Sequence, residues 1–153
     1  MNSRSKRPRA SVSLENQIFV ALLQAADALG QEAERLLKAA GLTSAQYNVL
    51  RILRGAEPEG LACRGIGDRM ISHDPDMTRL LDRMERRGLI TRERQTDDRR
   101  VVKTRITPQG ISLLKTLDQP VHDLHKLQFR HIPAPRLKTL GRLLEEVRSR
   151  KRE

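Results

Sequence analysis

The chain has 153 residues, 37% hydrophobic and 32% charged, which suits a folded core and excludes a disordered polymer. Thirty Lys and Arg against 19 Asp and Glu leave a net charge of +11, an excess usually tolerated where the partner is a polyanion. No apolar run approaches the ~18 residues of a membrane span, the basic opening MNSRSKRPRAS has no apolar stretch behind it and so is not read as a signal peptide, and a single cysteine excludes an internal disulfide and fits a reducing cytoplasm.

Residues 1–12 carry four cations and no acid and are expected to form a basic flexible tail. A long helix is expected from about Ser13 to Ala40, with Leu14, Ile18, Leu22, Ala25, Leu29, Ala33 and Leu36 in one apolar stripe. Gly41 is placed to end it. Thr43-Ser44-Ala45-Gln46 reads as a capping box opening a second helix, in which Val49, Leu50 and Leu53 face inward. Ala56-Glu57-Pro58-Glu59-Gly60 is a turn by composition. A short helix from about Cys63 to Ile71 follows, with Ile66 and Met70 four apart; Gly65 and Gly67 weaken it, so packing must hold it. The next helix should be capped by Asp74, start at Pro75 and run to Gly88.

After Gly88 the period shortens to two. The segments 89–94 and 101–106 are rich in β-branched residues and read as antiparallel strands joined by residues 95–100. Thr107-Pro108 then opens a helix with Ile111, Leu114, Leu117, Val121, Leu124 and Gln128 on one face and an internal Pro120 that should bend it. The stretch 131–135 breaks the chain before a last helix bearing Leu137, Leu140, Leu144 and Val147. The fold expected is mainly α with a two-stranded β-wing: a winged helix-turn-helix at 42–107, flanked by dimerisation helices at 13–41 and 108–153, in one domain spanning 13–153.

On the helix at 75–88, Met77, Leu80, Leu81 and Met84 follow core spacing, so the opposite side carries Arg79, Asp82, Arg83 and Arg86. Three guanidiniums then fall within about 10 Å of helix axis, and arginine is suited to fork onto guanine and to grip phosphate. Asp82 is placed to bridge Arg79 or Arg86. The hairpin tip carries Asp97-Asp98-Arg99-Arg100, and an arginine there can enter the minor groove.

The stretch from Leu42 to Gly110 resembles the MarR family of bacterial regulators. The resemblance rests on Leu42-Thr43-Ser44-Ala45-Gln46-Tyr47, Met77-Thr78-Arg79-Leu80-Leu81-Asp82-Arg83-Met84-Glu85, Arg87-Gly88-Leu89-Ile90, Asp98-Arg99-Arg100 and Ile106-Thr107-Pro108-Gln109-Gly110, in order and at family spacing. It implies a triangular dimer straddling a palindromic site, with Thr78, Arg79 and Arg83 in the major groove, Arg99 and Arg100 serving the wing, and Asp98 orienting them. Asp76 and Arg86 complete the expected recognition set. Two segments depart from the family pattern. Ala62-Cys63-Arg64-Gly65 stands where a hydroxyl cap and apolar and acidic residues are usual, and His73-Asp74-Pro75-Asp76 where Ser or Thr often precedes the recognition helix.

The stripes of the first and last two helices exceed what the winged core can cover, so Leu14, Ile18, Leu22, Leu117, Val121, Leu124, Leu137, Leu140 and Leu144 are expected to line a homodimer interface. Cys63 falls where the family usually has an apolar residue, so burial is expected in preference to redox sensing. His122 and His125, three apart with His131 beyond, have metal-compatible spacing, but no second motif completes a site, so no metal or cofactor is expected. The family implies a small-molecule effector of unknown identity. No phosphate loop, nucleophile elbow or zinc-protease motif is present, so an enzyme is not expected. The reading is a cytoplasmic, sequence-specific DNA-binding repressor, ligand-responsive and homodimeric. The alternatives are a sequence-tolerant architectural DNA binder or a metal- or redox-responsive regulator.

Overall fold

The computed structural model describes residues 12–95 and 101–149. Among these the order is α1 (Leu14–Ala39), α2 (Ser44–Arg54), β1 (Leu61–Ala62), α3 (Cys63–Gly67), α4 (Met77–Arg86), β2 (Ile90–Arg94), β3 (Val102–Ile106), α5 (Pro108–Phe129) and α6 (Ala134–Arg148). The chain divides into two compact units, Met1–Glu32 and Ala33–Glu153. No helix among the described residues is long and apolar enough to cross a membrane.

In the first unit the Ser13 hydroxyl accepts from the Asn16 amide at the start of α1. The apolar stripe expected there is present but uncovered by the chain: Leu14 and Ile18 are exposed, as are Phe19 and Leu23, while Leu22 is half-buried.

In the second unit Gly41 takes a positive φ of 72° that ends α1 without a Cβ penalty. Thr43 and Gln46 then form the expected capping box, each side chain bonding the other's backbone N–H. Val49, Leu50 and Leu53 of α2, Ile66 of α3 and Leu80, Leu81 and Met84 of α4 are buried together with Leu89, Ile90 and Leu114. Each such side chain contributes about 1.5–3 kcal/mol by leaving water, so the apolar seam expected on α4 fixes which way its other face points. Of the α1 stripe, Leu36 packs against this core, but the fully covered residue is its neighbour Leu37.

Four local expectations are corrected. The wing belongs to a three-stranded antiparallel sheet, order β1-β3-β2, because Leu61-Ala62 pairs with Thr104 and Lys103. Next, α3 stops at Gly67, leaving Met70 in the turn that follows. Third, α4 begins at Met77: Asp74 accepts from the Asp76 N–H at 2.8 Å in a tight turn, and Asp76, accepting from the Arg79 N–H at 3.2 Å, is the cap. Last, Leu117 and Val121, expected at a dimer interface, are buried in the core of their own chain. They sit one and two turns along α5 from Leu114, where α5 packs on α2. Leu124, Leu137 and Leu140 are half-buried and Leu144 exposed, so these keep apolar surface free.

The join between the sheet and α5 turns on Thr107. Its hydroxyl accepts from the Gly110 N–H to cap α5 and donates to the Gly88 carbonyl at 2.6 Å, while its own N–H donates to the Leu89 carbonyl. Pro108 occupies the first helical position, and Pro120 is carried inside the helix.

Candidate nucleic-acid interface

With Leu80, Leu81 and Met84 sealed into the core, α4 turns Arg79, Arg83 and Arg86 to solvent, as its periodicity predicts; Thr78 is exposed too, whereas Asp82 is half-buried. Arg79 makes an exposed ion pair with Asp76 at 3.2 Å, and Arg86 donates to the Asp82 carbonyl at 3.3 Å. Arg83 makes no ion pair or side-chain hydrogen bond among the described residues. Such a guanidinium is already exposed and uncommitted, so an incoming acceptor need not break an existing bond. Asp76 is placed beside this set but is occupied as the helix cap.

Asp82 does not bridge its own helix. Its carboxylate meets Arg92 of β2 at 2.5 Å, and the same guanidinium donates twice to Glu85, at 2.6 and 2.9 Å. Sequence reasoning missed this cluster because the partner lies on another element. Its pKa is raised above the ordinary arginine value, chiefly by the bond to Glu85, with Asp82 adding to the effect and partial burial opposing it. On the same sheet, Arg105 pairs with Glu93 at 3.1 Å and donates to the Pro58 carbonyl.

The ribbon runs in register from Ile90↔Ile106 to Arg94↔Val102, and the Gln95 N–H continues it to the Val101 carbonyl. The wing residues Asp98, Arg99 and Arg100 lie outside the described residues, as does nearly all of the basic N-terminal tail.

Away from this face, Arg54 of α2 forks onto Asp118 of α5 through two 2.9 Å bonds, and that contact holds Asp118 below the usual carboxylate range against the effect of partial burial. Cys63 is exposed at the first position of α3, which corrects the expected burial: in this five-residue helix the residue buried in the core is Ile66. His125 faces Gln128, and no group of three or more metal-capable side chains gathers among the described residues. A cleft of about 340 Å³ lies beside the start of α4, between Ser44, Ala45 and Asn48 of α2 and the turn at 70–75. Asn48 holds that turn by accepting from the Ile71 N–H, leaving the Ile71 side chain 88% exposed.

The family model for MarR matches residues 42–102. The chain is 40% identical to a MarR transcription factor of Planctomyces limnophilus of known crystal structure, covering 88% of this chain and 97% of that one with a TM-score of 0.69. The homoprotocatechuate degradative operon repressor of Escherichia coli is 28% identical over 87% of this chain and 88% of its own. A cysteine-to-serine variant of Escherichia coli MarR, solved in complex with operator DNA, shares the fold at TM-score 0.78 and 24% identity, covering 89% of this chain and 99% of that one. By these matches this protein, with its outward cationic helix on a sealed core beside a β-ribbon, belongs to the MarR family of winged-helix transcriptional regulators, not to an enzyme family.

Proposed function

We propose that the chain is a cytoplasmic repressor that binds a palindromic operator as a homodimer, with α4 in the major groove and Asp98-Arg99-Arg100 at the minor groove. The observation that carries this is the outward stripe of Thr78, Arg79, Arg83 and Arg86 on a helix whose other side is locked into the core. Arginines held on a rigid element read base edges with little ordering cost. The uncovered apolar residues support the homodimer: Leu14 and Ile18 in one unit, and Leu127, Leu143, Leu144 and Val147 in the other. Two such helices must span half-sites about 34 Å apart. A small-molecule effector acts by changing that separation, and the cleft beside α4 is within the size range of small-ligand sites.

Arg79→Ala is expected to cost about 1–3 kcal/mol at one or two base positions, whereas Arg99→Ala weakens all sequences alike and lowers the salt slope by about one. Footprinting on the upstream region finds the operator, and titration against it and against random DNA measures both effects. Parent-like binding by both variants overturns the assignment. A ratio of specific to random affinity near one marks a sequence-tolerant coater instead.

A further inference from the structure

The recognition helix has an electrostatic problem that its own sequence does not solve. Within α4 three arginines, Arg79, Arg83 and Arg86, stand against Asp82 and Glu85, a net of one positive charge. Asp82 lies in the same stripe as the arginines by the three-and-four spacing. A bare carboxylate there would face phosphate, and like charges brought together across an interface are strongly unfavourable. The Asp82 and Glu85 carboxylates are also one turn apart and would repel each other.

Arg92 answers both difficulties from outside the helix. It reaches from β2 to bond Asp82 and Glu85 with one planar fork, and all three side chains are largely covered, at 25% exposure for Arg92 and 37% for each acid. The other cations of this face do not compensate the acids: Arg83 has no ion pair among the described residues and Arg79 is paired with the cap Asp76. We propose that Arg92 is a positioning residue for DNA binding, which offsets one of the two carboxylate charges, draws Asp82 and Glu85 toward β2 and away from the recognition surface, and fixes the root of the wing to α4. Two residues beyond it the strand ends at Arg94, so the same clamp sets where the ribbon leaves the helix. The inference rests on α4 being the element that faces DNA.

The test separates charge from mere bracing. Binding to a footprinted operator fragment is measured at fixed salt for the parent, Arg92→Ala, Arg92→Ala/Asp82→Asn, Arg92→Ala/Asp123→Asn and Arg83→Ala, with Arg92→Met as a variant that keeps the aliphatic stem should alanine unfold. Arg92→Ala is expected to bind at least about tenfold more weakly, because two acids are released beside phosphate. Adding Asp82→Asn restores the parent's net charge at the site and is expected to bring affinity back to within about threefold. Asp123→Asn restores the same net charge on α5 and is expected to recover nothing. The inference is overturned if Arg92→Ala and Arg92→Met bind like the parent, if Asp82→Asn gives no recovery, or if Asp123→Asn recovers as much. Arg83→Ala tells the two layers apart: parent-like binding by it means that α4 is not the reading helix, whereas its loss beside an unaffected Arg92→Ala removes the charge argument alone.

Discussion

Gly110, the third residue of α5, sits where a side chain has no room. A Cβ built there would lie 2.5 Å from the Leu89 carbonyl oxygen and 2.8 Å from Cγ1 of Ile106. The oxygen is backbone, already accepting from the Thr107 N–H, so it cannot swing aside as a flexible side chain would. Forcing even one methyl into such a contact costs about 1–3 kcal/mol. Opposing this, alanine is a better helix former than glycine by up to about 1 kcal/mol, and less in a first turn. The clash wins, and Gly110→Ala should lose about 1–2 kcal/mol. For a chain of this length that is a fall in melting temperature of about 2–8 °C. Thermal and urea unfolding followed by far-UV circular dichroism measures it, at one protein concentration because the proposed self-association would make the midpoint concentration-dependent. Gly30→Ala is the control: nothing lies within 4 Å of its Cβ position inside α1, so it should gain up to about 1 kcal/mol. If Gly110→Ala proves as stable as the parent, the close approach of α5 to residue 89 is refuted.

The Arg54–Asp118 fork makes a pH-dependent contribution of known sign. The folded state lowers the pKa of Asp118, so its stabilisation is present above the unfolded carboxylate value of about 3.9 and is lost as pH falls through the depressed value. Both side chains are partly solvated, so Asp118→Asn should cost less than about 1 kcal/mol at pH 7. Unfolding curves of the two proteins should then converge as pH falls through the depressed Asp118 value, and a gap that does not narrow on acidification contradicts the pairing. Cys63 should react with a thiol reagent in the native protein at a rate close to that in urea; protection of many-fold would place it back in the interior.

Much of this architecture could be read from periodicity because helix and strand repeats report burial directly. The seam of Leu80, Leu81 and Met84, the capping box at Thr43 and the ribbon at 90–106 are all encoded by neighbours in sequence. What periodicity could not supply was pairing at a distance. A two-residue strand at Leu61-Ala62 has no repeat to detect and exists only because β3 offers an edge. Arg92 gives no sign on its own strand of the two acids it holds, and the local i, i+4 rule pointed Asp82 to the wrong partners. Leu117 and Val121 fit an apolar stripe equally well for a partner copy or for α2; only the contact of α5 with α2 decides between them. The start of α4 was misplaced for a different reason, since Asp74 and Asp76 are both competent caps and the turn geometry chose the second.

Thr107 has mechanical meaning beyond capping. One side chain and one amide tie three backbone points together, at residues 88, 89 and 110, through short directional bonds. A hinge made that way resists twisting, so α5 cannot rotate at its first turn without dragging the glycine that follows α4 or snapping a bond. Torque applied along α5 thereby reaches the foot of the ribbon within a single residue.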